Sequence, residues 1–397
     1  MRKSFLLKKL SLCVICLINI VMSSAGQNAD SSFKASGKLW VTVFVDYYYK
    51  SHADSLIRGG LNQYSNVEKG RNAFQFRRIY FGYNYNISPK FSAELLVASE
   101  ENLTSSTGIT GGDLLVNNKL SVYIKLANLR WKNIFKGTDL LIGQAPTPSF
   151  PLLIERIWSY RSVERTISDL RRTNSFDLGV SLQGKFDPLT ENFGYDIMVG
   201  NGTASRPEND KFKTFYADVW AKFFNKKIVF NLYTDYQRQQ YSLGFHHSSN
   251  MIKGFAAFNS ELFTAGVEAF ISKRKNDVVG INNNIADTLS STATGVSFFV
   301  RGNIIKDRLA YFARIDNYNP DIKYEKYFYT NYKGLTPTYE PNNKETFITA
   351  GIDLTPLGDI HLIPNIWYMD YKSQKTGGRE HDHDLVYRIT VSYSFGR

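Results

Sequence analysis

Apolar and polar residues alternate along this chain with a period of two, in stretches of about ten residues. The clearest stretch is at the C-terminal end. Leu385, Tyr387, Ile389, Val391, Tyr393 and Phe395 fall on one face, and Arg388, Thr390, Ser392 and Ser394 on the other. Leu39, Val41, Val43 and Val45 oppose Thr42 and Asp46 in the same way. Phe176, Leu178, Val180 and Leu182 oppose Asp177, Ser181, Gln183 and Lys185. Leu309, Tyr311, Ala313 and Ile315 oppose Arg314 and Asp316. A strand sends successive side chains to opposite faces, so each stretch predicts a strand with one apolar face. Sixteen are predicted: 39–49, 74–85, 91–99, 119–131, 139–144, 176–186, 193–200, 214–223, 228–237, 252–259, 261–272, 294–303, 308–316, 345–354, 360–370 and 385–395.

A soluble β-sandwich alternates too, with its apolar face inward. The connections separate the two cases. They run long, short, long, short: 50–73, 100–118, 145–175, 273–293 and 317–344 are long, whereas 86–90, 187–192 and 224–227 are short. A sandwich has no reason to segregate its loops, but a transmembrane barrel keeps short turns on one side and long loops on the other. The expected fold class is therefore all-β, a transmembrane antiparallel β-barrel of about 16 strands. Its turns would be periplasmic and its long loops external. In lipid every backbone polar group must be paired, so such a sheet has to close. Sixteen strands enclose a lumen too wide for side chains alone to fill. Polar inward faces imply that the lumen holds water.

Composition supports strands, with 25 Tyr and 28 Phe. The mean hydropathy of −0.29 argues against a helical membrane protein but not against a barrel, where alternate residues meet lipid. At the N-terminus, Arg2, Lys3, Lys8 and Lys9 precede an apolar stretch, 10–22, and the small residues Ser23, Ser24 and Ala25. This pattern predicts a cleaved signal peptide over 1–26, leaving one barrel domain over 27–397. Both cysteines, Cys13 and Cys16, fall inside the signal, so the mature chain has no disulfide. Its removal takes four basic residues and lowers the formal charge from +12 to +8. The remaining charges are scattered among acids. With export, this argues for a solvated surface and against a nucleic-acid partner.

The segment 145–175 is the longest connection and the third external one. It carries Arg156, Arg161, Arg165, Arg171 and Arg172 against Glu155, Glu164 and Asp169, with no Lys. Folded into the lumen, it would set a field across a constriction and sort ions by charge. On the surface, the same residues would be ordinary ion pairs. Candidate lumen-facing cations are Arg78, Lys125, Lys185, Arg301, Arg314 and Arg388. Asp46, Glu94, Asp177, Asp196, Asp218, Asp235, Glu268 and Asp316 are the inward acids. His381, Asp382, His383 and Asp384 have metal-ligand character, but no second ligand group accompanies them, so they read as a solvated external loop. His246 and His247 read the same way. No metal or cofactor is expected. No Gly-x-Ser-x-Gly elbow, His-Glu-x-x-His or phosphate-binding loop occurs, and no catalytic set is expected.

Residues 74–97 read Phe-Gln-Phe-Arg-Arg-Ile-Tyr-Phe-Gly-Tyr-Asn-Tyr, a short turn, then Phe-Ser-Ala-Glu-Leu-Leu-Val. This resembles the Arg-Arg strand and hairpin of the phosphate-selective porin O and P family. Leu141-Ile-Gly-Gln144 with Pro146 and Pro148 is similar to that family's Gly-Gln strand and Pro-containing loop. Ser162-Val-Glu-Arg165 resembles its Glu-Arg loop element. Phe176-Asp-Leu-Gly-Val and Tyr195-Asp-Ile-Met-Val-Gly-Asn-Gly resemble the strands that follow. The match covers roughly 70–202. It implies a sixteen-stranded, often trimeric pore. It does not carry over phosphate selectivity, because the inward charges here are mixed rather than a dense basic ladder. The terminal Gly396 and Arg397 also depart from the usual final aromatic residue.

The expected function is passive diffusion of small hydrophilic or anionic solutes across an outer membrane, with a weak anion preference and lipid as the surrounding partner. A sugar-specific channel lined by Trp40, Trp220 or Trp367 is one alternative. A hydrolase carried on the outer loops is another, and a closed structural or adhesive barrel a third.

Overall fold

The computed structural model describes residues 33–59, 62–100, 121–171, 173–208, 210–240, 246–282, 285–324, 332–334, 342–374 and 381–396. The expected signal peptide and Arg172 lie outside these residues. The strands are β1 (Ser36–His52), β2 (Asn72–Asn86), β3 (Phe91–Glu100), β4 (Tyr123–Phe135), β5 (Thr138–Pro146), β6 (Phe176–Lys185), β7 (Phe193–Gly200), β8 (Thr214–Phe223), β9 (Ile228–Gln240), β10 (His246–Asn259), β11 (Phe263–Asn282), β12 (Ile285–Ile305), β13 (Leu309–Asn319), β14 (Tyr332–Gly334), β15 (Asn343–Leu357), β16 (Ile360–Ser373) and β17 (His381–Phe395). The three-residue β14 pairs with Val278–Gly280 of β11. The other sixteen pair antiparallel in sequence order, β13 with β15, and β1 closes onto β17. The wall is a closed sixteen-stranded antiparallel barrel.

All sixteen expected strands are present. The segment 273–293 is not a long loop, however: its described residues belong to β11, which runs to Asn282, and β12, which starts at Ile285, and the two pair along most of this length. His246 and His247 likewise lie in β10 rather than a loop, with His247 buried. Turns at the other rim are short. Between β4 and β5 only Lys136 and Gly137 remain, and Gly137 adopts φ 78°, where glycine meets no Cβ penalty.

Strand parity explains the wall. On β17, Tyr387 and Ile389 face outward and are exposed, whereas Arg388 and Thr390 face inward and are buried. Exposed aromatics gather near both rims of the outer face: Tyr47, Tyr49, Phe74 and Tyr387 at one, Phe193, Phe223, Phe230 and Phe258 at the other. These are the two girdles of a barrel in a bilayer. Parity breaks in two informative places. Phe44 pairs with Arg78 and Val45 with Phe76, so Arg77 is an extra residue in β2. Leu96 pairs with Leu126 and Val97 with Ile124, so Lys125 is an extra residue in β4. Each bulge places two adjacent residues inside, Arg77 with Arg78 and Lys125 with Leu126.

The apolar interior lies in the lumen itself, between the wall and the connections folded against it.

Candidate functional site

The connection 147–175 leaves β5 and returns through two single-turn helices, α1 (Ile154–Trp158) and α2 (Ile167–Arg171). Helices this short do not hold themselves together in water. Packing holds them. Phe150, Ile154, Ile157, Trp158, Tyr160 and Val163 bury against wall residues Val229, Phe255, Ala257, Phe299, Phe312 and Ile363. Trp158 is 1% exposed and meets Phe299 edge-on at 5.1 Å between ring centroids. Burying a large apolar side chain contributes roughly 1.5–3 kcal/mol, which is what keeps this segment off the external surface.

Cations of the wall then grip the segment's main chain. Arg77 Nη1 donates to the carbonyls of Ser162 at 2.7 Å and Val163 at 3.0 Å. Arg388 Nη2 donates to Val163 O at 3.0 Å, and Arg301 Nε to Ile157 O at 2.8 Å. Arg314 Nη1 donates to Arg165 O, and Lys253 Nζ to Ser149 O. Arg301, Arg314 and Arg388 are therefore inside the barrel as expected, but they hold protein rather than face open water. Arg78 is buried beside Arg77. Lys125 pairs with Glu100 under the Tyr80 ring. Lys185 differs from expectation: it sits exposed at the turn rim, paired with Glu191. The inward acids are mostly spoken for. Asp46 lies 3.3 Å from Arg77, Asp316 binds Arg314, Glu268 lies 3.7 Å from Lys253, and Asp177 accepts from Gly202 and Tyr216. Glu94 accepts from Asn128, Asp196 from Ser181 and Gln183, Asp218 from Asn231, and Asp235 from Tyr233.

The segment's own charges are largely paired. Arg161 Nη1 contacts Asp169 at 2.9 Å and also Glu155. Arg165 lies 3.9 Å from Glu164, and Arg171 pairs with Glu345 of the wall. Arg156 alone of the described arginines here is exposed, and it makes no ion pair among the described residues. Glu164 is buried and accepts from the Trp367 indole at 3.0 Å. Burial pushes its carboxyl up, but Arg77, Arg165, that indole and Arg388 outweigh burial and hold it down at about 2. Glu155 shows the reverse: burial, with Asp169 adding to it, outweighs Arg161, and the carboxyl is raised.

Below this packed region the lumen is more open. Arg130, 31% exposed, pairs with Asp139 at 2.9 Å and bonds Gln183 at 2.8 Å. Lys222 lies over the Trp220 ring at 4.5 Å. Trp40 and Trp220 are inward and half-buried, but Trp367 is covered by Glu164 and Tyr64 and cannot line a sugar path.

Sequence reasoning missed three things. Strict alternation admits only one of Arg77 and Arg78. Lys253, fully buried, passed unnoticed because it shares its parity with Phe255 and Ala257, apolar residues that alternation would place toward lipid although all three are buried inside. The first long connection also folds inward: Tyr64 and Val67 pack with Tyr48, Phe347, Trp367, Met369 and Tyr371, and nothing in its composition announces this. The expectation for His381–Asp384 needs correction. These residues begin β17, and a second group does join them, because His52 of β1 stacks on His383 at 4.0 Å.

No family model matches the chain, and no curated protein matches it. Solved structures match along nearly all of it. The outer-membrane expressed OmpT of Vibrio cholerae is 11% identical, with a TM-score of 0.57 over 93% of this chain and 100% of that one. The outer membrane channel DcaP of Acinetobacter baumannii is 14% identical, TM-score 0.59, over 92% and 99%. Salmonella typhi OmpF, in complex with daunomycin, is 9% identical, TM-score 0.55, over 90% and 97%. The chain has the fold of outer-membrane β-barrel proteins. At these identities the likeness is one of fold.

Proposed function

We propose that this chain is exported with cleavage near residue 26 and inserts in an outer membrane. There it forms a water-filled channel for passive diffusion of small hydrophilic solutes, without catalysing a reaction. One observation carries the reading. A closed sixteen-stranded barrel has a connection folded into its lumen, and six wall contacts to main-chain oxygens fix that segment in place. Such a segment narrows a conduit; a structural barrel has no use for it. Arg156, Arg161, Arg165, Arg171 and Arg172, with Glu155, Glu164 and Asp169, are the proposed constriction set. Among the described residues of this set, Arg156 makes no ion pair and, with Lys222 below it, leaves positive charge toward water, which supports a weak anion preference. The resemblance to the phosphate-selective porin O and P family supports a porin of that kind, and the trimer form recorded for Vibrio OmpT supports a homotrimer.

The test is a planar-bilayer recording on refolded protein whose folding is shown by heat-modifiable gel mobility. Discrete conductance steps are expected. Folded protein that gives no conductance would overturn the proposal.

A further inference from the structure

Where the barrel closes, β1 meets β17. Lys50 pairs with Val386 and His52 with Leu385, so Ser51 is an extra residue there. This bulge brings His52 over His383, residues far apart in the chain. The two imidazoles lie parallel within 10°, centroids 4.0 Å apart. Asp382 Oδ1 is 3.8 Å from His52 Nδ1. One ligand atom from each of the three residues lies within 4.8 Å of the others.

We propose that His52, Asp382 and His383 bind one divalent transition-metal ion of the zinc, copper or nickel class, bridging the first and last strands of the barrel.

The donor set selects the class of ion. Two imidazoles and one carboxylate suit zinc, copper and nickel, whereas calcium and magnesium take oxygen donors. Three protein donors leave positions for water. The supporting contacts also fit. His52 Nδ1 lies 2.7 Å from the carbonyl of His383. Donation to that carbonyl fixes the tautomer and leaves Nε2 with its lone pair, the usual arrangement of a metal-binding histidine. Asp382 is held from three sides: Ser55 N at 2.9 Å, Ser55 Oγ at 2.8 Å and His383 N at 2.9 Å. Its carboxylate is therefore already oriented. The rings are not locked. The imidazole torsion is broad, and the His52 side chain is 36% exposed, so both rings can turn toward a shared ion that enters from solvent.

Position gives the site its consequence. Outward-facing Tyr387 marks the girdle, and His383 lies four residues beyond it, about 13 Å at strand rise. The site thus stands on the long-loop rim, clear of lipid. An ion there binds the closed barrel and not the separated strands, so it stabilises closure in proportion to its occupancy.

The experiment uses untagged, refolded mature protein, residues 27–397, titrated calorimetrically with Zn²⁺ and with Ni²⁺. One equivalent should bind, and the heat-modification midpoint should rise with metal and fall back with EDTA. His52→Ala and His383→Ala should each weaken binding at least tenfold and abolish the rise, whereas His381→Ala and His246→Ala should keep both. Should either alanine variant not refold, His52→Gln and His383→Gln replace them; a glutamine keeps a hydrogen-bonding group but offers no imidazole. Equal binding by wild type and the His52 and His383 variants would overturn the proposal, as would absence of binding by folded wild type.

Discussion

The outer and periplasmic halves of the lumen are made by the same strands, yet they are different environments. In the outer half, the connections 53–71 and 147–175 press aromatic rings against the wall, and Arg77, Arg314, Arg388 and Lys253 are buried with partners for their charge. In the periplasmic half, Arg130, Lys222 and Trp220 remain partly exposed. The contrast teaches that inward charge does not add up to selectivity. A guanidinium that holds a carbonyl in a dry site is structure; one that meets water acts on passing ions.

The most damaging test removes the buried anion on which the outer half is organised. Glu164→Ala leaves Arg77, Arg165 and Arg388 short of a counter-charge and frees the Trp367 N–H, a loss of about 3–5 kcal/mol. The segment should undock, so the heat-modification temperature should drop and single-channel conductance should rise. Unchanged values for both would show that the two halves are not held apart in this way.

Acid should produce a related but smaller effect. The Glu164 carboxyl sits at about 2, below its ordinary value, so its contribution is complete above the ordinary carboxylate range and is lost as pH falls from about 5 toward 2. At most it is on the order of 3 kcal/mol. Glu155 is raised and works in the opposite sense, favouring the folded state as it protonates. Protease cleavage of the segment should therefore increase only on the acid side; Glu164→Gln should flatten that increase, whereas Glu155→Gln, which removes the opposing titration, should steepen it. A wild-type segment equally resistant at pH 3 and pH 7 would contradict the assignment.

The comparison rests on strand parity, which a pair of neighbours can test. Val391 faces lipid and Ser392 the lumen. Val391→Arg should cost up to about 2 kcal/mol in folded barrel, depending on depth, and Ser392→Arg much less. Equal yields in heat-modifiable form would place β17 in the wrong frame.

The smallest expected change in stability is the most specific in function. Arg156→Ala should alter stability by no more than about 0.5 kcal/mol, because the side chain is exposed. It should nonetheless move the zero-current potential in a KCl gradient toward cations. Arg161→Ala, which unpairs Glu155 and Asp169, should destabilise more. A potential unmoved by Arg156→Ala would remove this residue from the ion path.

The wall was legible because period-two alternation is a local property: all sixteen strands could be found from runs such as Leu385–Phe395. For the segment 145–175 the sequence left two courses open, into the lumen or on the surface, and position as the third long connection favoured the first without deciding it. What was not legible depends on relations across the chain. Arg77 enters the lumen only because β2 gains a residue against β1, and that extra residue is invisible in β2 alone. His52 reaches His383 only because the first strand closes on the last with a bulge at Ser51. Tyr64 finds its place by shape, among rings contributed by three strands.

The wall grips the segment 147–175 through its carbonyl oxygens, and every residue has one. Arg77, Arg301, Arg314, Arg388 and Lys253 would keep their partners if the side chains at Arg156 or Ser159 were replaced. The mounting is thus indifferent to much of what it mounts. On the proposed channel function, a barrel built this way would change which solutes it admits by substituting exposed positions on the segment, without renegotiating the fold that presents them.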